Sequence, residues 1–201
     1  LSLVDPYDDA ATITGQGTIG LEIVEQVAGV EGIGPARPVG PAPFTVLVPV
    51  GGGGIAAGVA VAVKSLRPDA VVIGVEPELA ADARDSLARG EIVTWTPQQM
   101  ARTIADGQRT TSIGLIPFAL FRRYLDGIVT VGEDEIARAM VRASRDARLV
   151  LEPSGATTLS AWLFHADELP AEGRVVCILS GGNVDPARYE ELLARGIAAG
   201  G

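Results

Sequence analysis

Four strand-length apolar runs, rich in β-branched residues, alternate along this chain with stretches of helix length. The strand-like runs are residues 45–50, 70–75, 128–131 and 174–180, each bounded by turn-forming residues. Apolar positions at helical spacing predict helices over 14–27, where Ile19, Ile23, Val24 and Val27 share a face, and over 54–66, 79–89, 116–125, 134–148, 153–165 and 186–195. In the fifth of these the apolar positions are Ile136, Met140, Val141 and Ala147. Gly15-Gln16-Gly17-Thr18 reads as the lead into the first helix; Arg67-Pro68-Asp69 and Gly90 read as stops. Residues 92–112 are mostly polar and read as loop, with Ala105-Asp106-Gly107 as a turn, and 29–43 is a Gly- and Pro-rich irregular loop. Strands alternating with helices predict an α/β fold: a mostly parallel sheet with helices on both faces, in a single unit over residues 1–201.

In such sheets ligands lie beyond the carboxyl ends of the strands. Three loops there carry the chemistry: Gly51 to Gly54, Glu76-Pro77, and Ser180 to Asn183. The glycines stand between an apolar strand and an Ala- and Val-rich helix, which argues against a flexible linker. Lacking Cβ atoms, they let backbone N–H groups close around a ligand, and the helix behind them adds further unpaired donors at its positive end. The natural guest is phosphate. Two ligands fit. A dinucleotide site would use Gly52, Gly54, Gly58 and Glu76, but its fingerprint needs a glycine where Ala57 stands. A monophosphate cofactor would sit in a compact cup at Gly51–Gly54, with the Ser180 hydroxyl donating to its far end without imposing a charge.

Composition narrows the partners. With 47% hydrophobic and 20% charged residues the chain is globular, not disordered. A net charge of −9 disfavours nucleic acid. Residues 38–63 carry no charge and are long enough to span a bilayer, but Pro38, Pro41, Pro43, Pro49 and the glycines would break a spanning helix. The N-terminus is acidic, unlike a signal peptide, and the lone Cys177 lies in an apolar run; a cytoplasmic location and a buried, unreactive thiol are expected. His165, beside Asp167 and Glu168, is expected on an outer helix as a surface residue.

Seven segments in order resemble the serine/threonine dehydratase and serine racemase family, pyridoxal-phosphate enzymes of fold type II (tryptophan synthase β-like). They are Thr14-Gly15-Gln16-Gly17-Thr18-Ile19, Val48-Pro49-Val50-Gly51-Gly52-Gly53-Gly54-Ile55, Gly74-Val75-Glu76-Pro77, Thr103-Ile104-Ala105-Asp106-Gly107, Val131-Gly132-Glu133-Asp134-Glu135-Ile136, Glu152-Pro153-Ser154-Gly155-Ala156 and Leu179-Ser180-Gly181-Gly182-Asn183. The resemblance implies that Gly51, Gly52, Gly53, Gly54 and the amide of Ile55 bind the phosphate of pyridoxal 5′-phosphate. It places Ser180 at the pyridine nitrogen, Gly107 against one ring face and Glu152 close behind the ring. Read without it, Gly107 is a turn residue, Glu152 orients the helix after Pro153, and Ser180 caps the Gly181–Asn183 turn. The resemblance also implies a Mg²⁺ or Ca²⁺ site made by Glu76, the Ala80 carbonyl and Asp82; otherwise Asp82 solvates its helix.

Such chemistry needs a Schiff-base lysine. Lys64 is the sole lysine among 16 basic residues and stands ten residues past Gly54, roughly 15 Å along the helix axis from the cup. The family's S-x-K-x-R-like lysine motif and its S-G-N-H-like substrate loop do not occur here. The expectation is therefore the C-terminal portion of a dehydratase catalytic domain, without catalytic residues of its own and without a regulatory domain. Its parent would convert a hydroxy amino acid by β-elimination to a 2-oxo acid and ammonia. The implied partners are a small amino acid, the missing N-terminal part of the same protein and a second copy in a homodimer. The alternatives are a phosphate- or nucleotide-binding module, or another fold-type II enzyme: a racemase, or a threonine or cysteine synthase.

Overall fold

The computed structural model describes residues 4–27, 44–170 and 173–201; the 29–43 loop lies outside them. Strands β1 (Phe44–Pro49), β2 (Val71–Pro77), β3 (Gly127–Val131) and β4 (Arg174–Cys177) form one sheet in the order β3-β2-β1-β4. Every pairing is parallel, with Thr45 opposite Val71 and Val175, and Ile73 opposite Gly127. β1 is buried along its whole length, as its uninterrupted apolar run requires of a central parallel strand.

Helices cover both faces. On one side α1 (Ala10–Gln16), α2 (Thr18–Val27), α3 (Gly54–Leu66), α4 (Asp82–Arg89) and α6 (Leu115–Tyr124) close a core around Val46, Val48, Val59 and Phe121. On the other, α7 (Glu133–Arg142), α8 (Pro153–Phe164) and α9 (Pro186–Ala198) close a core around Leu47, Val75, Ile136 and Met140. Helix α5 (Pro97–Met100) lies within the expected 92–112 loop. It is a single turn held by a capping box: Gln99 N donates to Thr96 Oγ1 (3.2 Å) and Thr96 N to Gln99 Oε1 (2.8 Å).

Several boundaries differ from the expectation. The first helix is two helices. α1 starts at Ala10 under an Asp9 cap that accepts from Thr12 N (2.9 Å), and Gly17 is the joint between α1 and α2. A Cβ on Gly17 would come within 3.1 Å of the Gly58 carbonyl, so the joint is where α3 presses against the pair. The predicted 79–89 helix is a 3₁₀ turn, Glu78–Ala80, followed by α4. Helix α7 stops at Arg142 and widens into a π turn over Ala143–Ala147, ending at Arg148 with φ 59°. That turn carries Ala147 out to solvent, away from its expected core face.

Strand β4 is shorter than expected and, among the described residues, lies at the sheet edge. Arg174 is exposed, Val175, Val176 and Cys177 are only half-buried, and Ser180 is exposed where the end of a buried strand was expected. Burial still pushes the Cys177 thiol up to about 12, which keeps it protonated and unreactive.

His165 is not a free surface residue. Its Nδ1 meets Glu168 Oε1 at 2.7 Å and its Nε2 meets Glu135 Oε2 at 2.9 Å, tying the end of α8 to α7. Two carboxylate acceptors demand two N–H donors, hence imidazolium. Partial burial disfavours that charge but is outweighed by the hydrogen bonds to Glu135 and Glu168, and the net shift is upward. The stability His165 contributes is therefore complete below its unfolded value of about 6.5 and is lost as pH rises through the higher folded value. Urea titrations should show the parental chain ahead of His165→Gln by up to about 1 kcal/mol at acidic pH, for a partly exposed pair. The gap should close above neutrality.

Candidate functional site

The strand order reverses at β1: the chain runs outward from β1 to β2 and β3, then returns to place β4 on the other side. In open parallel sheets a ligand crevice is expected at such a point, beyond the carboxyl ends of the strands. The glycine loop follows β1 and the Ser180 loop follows β4, the two strands adjacent at that point.

The loop makes a sharp turn into α3. Gly53, the N-cap, has φ +98°, a conformation glycine adopts without strain. Among the described residues no acceptor takes the N–H groups of Gly52, Gly53, Gly54 or Ile55. Those are the donors a phosphate would engage, so the loop fits the expected group. The structure also gives the glycines a second reason. A side chain on Gly52 would overlap the Tyr7 ring, one on Gly53 would come within 2.7 Å of Pro117 Cβ, and one on Gly54 within 2.9 Å of Tyr7 Cα. Burial, with Asp5, Asp8 and Asp82 nearby, holds the Tyr7 phenol above its ordinary value, so it stays neutral.

Gly107 adjoins the loop: a Cβ on Gly51 would stand 3.1 Å from the Gly107 carbonyl. The Gly107 N–H donates to Ser154 Oγ (2.9 Å), and Gly107 itself lies against Ser154 and Glu152 Oε1. Glu152 in turn abuts Gly181, whose carbonyl accepts from Glu152 N (3.1 Å). The sequence-predicted residues Gly51, Gly107, Glu152 and the loop beginning at Ser180 thus form one continuous rim. Glu152 is the N-cap of α8 but makes no side-chain capping bond to that helix. Burial, reinforced by Asp106, raises its carboxyl above the usual range, against a bond from the Asn183 amide.

Residues without a signal in the sequence hold this rim. Gln108, 3% exposed, donates from Nε2 to the carbonyls of Val50 (2.8 Å) and Val75 (3.0 Å), pinning the Gly107 turn to the ends of β1 and β2. Buried Glu133 accepts from Ile104 N (2.5 Å), and Arg109 chelates the Thr103 carbonyl. A buried polar residue in a polar stretch looks like any loop residue until its burial is known.

At the end of β2, Glu76 is 1% exposed and accepts from Ala83 N (3.1 Å) and Arg84 N (2.9 Å), the first-turn amides of α4. Burial, then the neighbouring Asp82 carboxylate, pushes Glu76 well above its ordinary value. Burial raises Asp82 to about 7, against bonds from its own amide and that of Ile113. Asp82 Oδ2 is buried with no partner, and Ala80 is buried between the two acids in sequence. No cluster of three or more His, Cys, Asp or Glu that could hold a metal occurs among the described residues. Gly58 faces Ile13 and Gly17 across the α3–α1 contact. Gly58 is thereby spent on helix packing, which counts against a dinucleotide site.

Lys64 is at the other end of α3, paired with Asp126 at 2.7 Å. Among the described residues no helix is long and apolar enough to cross a membrane.

Comparison with known proteins bears on the same rim. The model of the pyridoxal-phosphate dependent enzyme family matches residues 2–181. An L-threonine ammonia-lyase of Geobacter sulfurreducens is 37% identical over 198 residues, which are 98% of this chain and 45% of the relative. A serine racemase of Dictyostelium discoideum is 38% identical over 192 residues, 95% of this chain and 55% of the relative. Among solved structures, a threonine deaminase of T.th. is similar with TM-score 0.78 and 45% identity, over 90% of this chain and 60% of that one. The processed form of threonine deaminase isoform 2 from Solanum lycopersicum is similar with TM-score 0.82 and 32% identity, over 98% of this chain and 50% of that one. The chain spans about half the length of the curated relatives it matches. Its parallel sheet and helices agree with those neighbours, and the family match runs from before α1 to the loop after β4. The chain belongs to the pyridoxal-phosphate dependent enzyme family, in fold type II.

Proposed function

We propose that this chain forms the cofactor-holding part of a hydroxy-amino-acid ammonia-lyase, which in the whole protein converts threonine or serine to a 2-oxo acid and ammonia. The observation that carries this reading is the set of unpaired N–H groups on the loop entering α3, set beside the rim of Gly107, Glu152 and the Ser180 loop. Gly51 to Gly54 and the Ile55 amide would hold the phosphate. Ser180 would donate to the ring nitrogen, and as a neutral hydroxyl would leave that nitrogen less fully protonated than a carboxylate would. Gly107, bare of a side chain, and Glu152 would line the place of the ring between those two contacts. When bound, pyridoxal phosphate supplies an electron sink for negative charge developing at the amino acid Cα.

The proton-moving lysine is not among these residues. Lys64 is held by Asp126 away from the cup, so the chain by itself binds the cofactor without turnover. Calorimetry should show pyridoxal 5′-phosphate binding that inorganic phosphate competes away. Borohydride should leave no adduct on Lys64, and threonine or serine should yield no 2-oxo acid. An adduct on Lys64 with product formation would overturn this reading. Similarity to the Dictyostelium racemase supports a racemase as the second reading.

Glu76, Asp82 and the Ala80 carbonyl form a divalent-cation site, supported by the unpartnered buried Asp82 Oδ2 beside a second buried carboxylate. Three protein oxygens leave the remaining positions of Ca²⁺ or Mg²⁺ to water. Millimolar Ca²⁺ or Mg²⁺ should raise the melting temperature of the parental chain and leave that of Asp82→Asn unmoved. Equal shifts in both proteins would refute the site.

A further inference from the structure

The segment Asp5–Asp9 crosses the glycine loop before α1 begins. Asp8 reaches 107 and 108 residues along the chain: Oδ2 accepts from Leu115 N (3.0 Å) and Oδ1 from Ile116 N (2.8 Å), both in the first turn of α6. Gly114, just before that turn, donates its N–H to the Gly52 carbonyl (3.0 Å). A side chain on Gly114 would meet Asp8 Cγ at 2.8 Å. On one side of the loop the Tyr7 ring fills the space above Gly52, and the Tyr7 Cα and Cβ and the Pro6 carbonyl lie against Gly54; on the other, Ile113, Pro117 and Phe121 close on Gly53. Asp8 joins these two jaws. The segment is itself held: Asp5 Oδ1 accepts from Tyr7 N (3.0 Å) and Asp8 N (2.7 Å).

Neighbouring N–H dipoles without acceptors repel one another, and a run of glycines is the backbone most able to turn them away. Something outside the loop must hold it. We propose that Tyr7 and Asp8 are positioning residues for the phosphate cup, keeping its N–H groups aimed before a ligand arrives. The proposal rests on the reading of this loop as the cofactor-phosphate site. Ordering the loop during folding removes that cost from binding. The benefit goes to phosphate, not to the ring.

The test uses the full 201-residue chain with three probes: inorganic phosphate, pyridoxal 5′-phosphate and pyridoxal without phosphate. Tyr7→Ala and Asp8→Ala should weaken binding of both phosphate-bearing probes by about 10- to 100-fold, as residues that orient ligands from behind do. Pyridoxal binding should change little. Tyr7→Phe should restore most of the loss, since the ring and not the hydroxyl fills the space. Amide exchange at 51–55 in the ligand-free protein should speed up in both alanine variants and in the milder Asp8→Asn. A merely structural role would lower the melting temperature yet leave phosphate affinity and this local exchange as in the parental chain, and that result overturns the proposal. Failure of the parental chain to bind phosphate or pyridoxal phosphate would instead overturn the cup reading, and this proposal with it.

Discussion

Gly53→Ala should unfold more readily than the parental chain by about 2–5 kcal/mol and lose phosphate binding. Two costs add. At φ +98° a Cβ-bearing residue is strained, by about 1–2 kcal/mol. The new methyl would also stand 2.7 Å from Pro117 Cβ, with Ile113 at 3.2 Å and Phe121 at 3.3 Å, and overpacking of this kind costs about 1–3 kcal/mol. Gly90 is the internal control. It has φ +75° and nothing within 4 Å of an added Cβ, so Gly90→Ala should show only the backbone part, about 1–2 kcal/mol. Denaturant titrations of the two variants separate strain from crowding. Equal losses would mean that the glycine loop is not gripped by α6.

Gln108→Leu should destabilise the chain by about 2–3 kcal/mol, because a buried group left without its partner costs about 1–3 kcal/mol. The Val50 carbonyl loses its Gln108 donor, while the Val75 carbonyl keeps its bond from Val50 N (2.9 Å) and suffers less. The same change frees the Gly107 turn from the strand ends, so pyridoxal 5′-phosphate affinity should fall along with stability. Gln108→Glu keeps the shape but replaces the donor by a carboxylate facing two carbonyls, and should be at least as damaging. Stability loss with unchanged cofactor affinity would show that the turn is positioned by Ser154, Glu133 and Arg109 alone.

Much of this molecule is legible in one dimension because its signals are local. A β-branched run closed by four glycines and followed by Ala-rich helix can hardly be anything but strand, tight loop and helix. The spacing of apolar residues finds β1, α3, β2, α6, β3 and α9 to within a few residues. Motif order alone leads to the family, and that reading agrees with the match over residues 2–181. Boundaries fail where a distant contact decides them. Gly17 interrupts α1 and α2 because α3 arrives there, and α7 gives way to a π turn at Ala143 although the apolar pattern runs on to Ala147.

The site divides in the same way. Gly51–Gly54 and Ser180 stand out by residue type as candidates for a phosphate cup and a neutral donor, since those roles draw on a short list of residues, whereas Glu152 enters only through the resemblance. Local sequence suffices for the strand–loop–helix grammar, the approximate elements, the family, and the absence of a second lysine to relieve Lys64 of its ion pair. Tertiary structure alone decides that β4 takes the edge beside β1, which exposes Ser180 and half-exposes Cys177, and that His165 is clamped between Glu135 and Glu168. It also decides that Asp8 holds α6 from more than 100 residues away and that Gln108 joins two strands. The reason is physical. Backbone geometry and hydrophobic period act between near neighbours in the chain, whereas burial, strand order and the closing of hydrogen bonds depend on neighbours that only folding supplies.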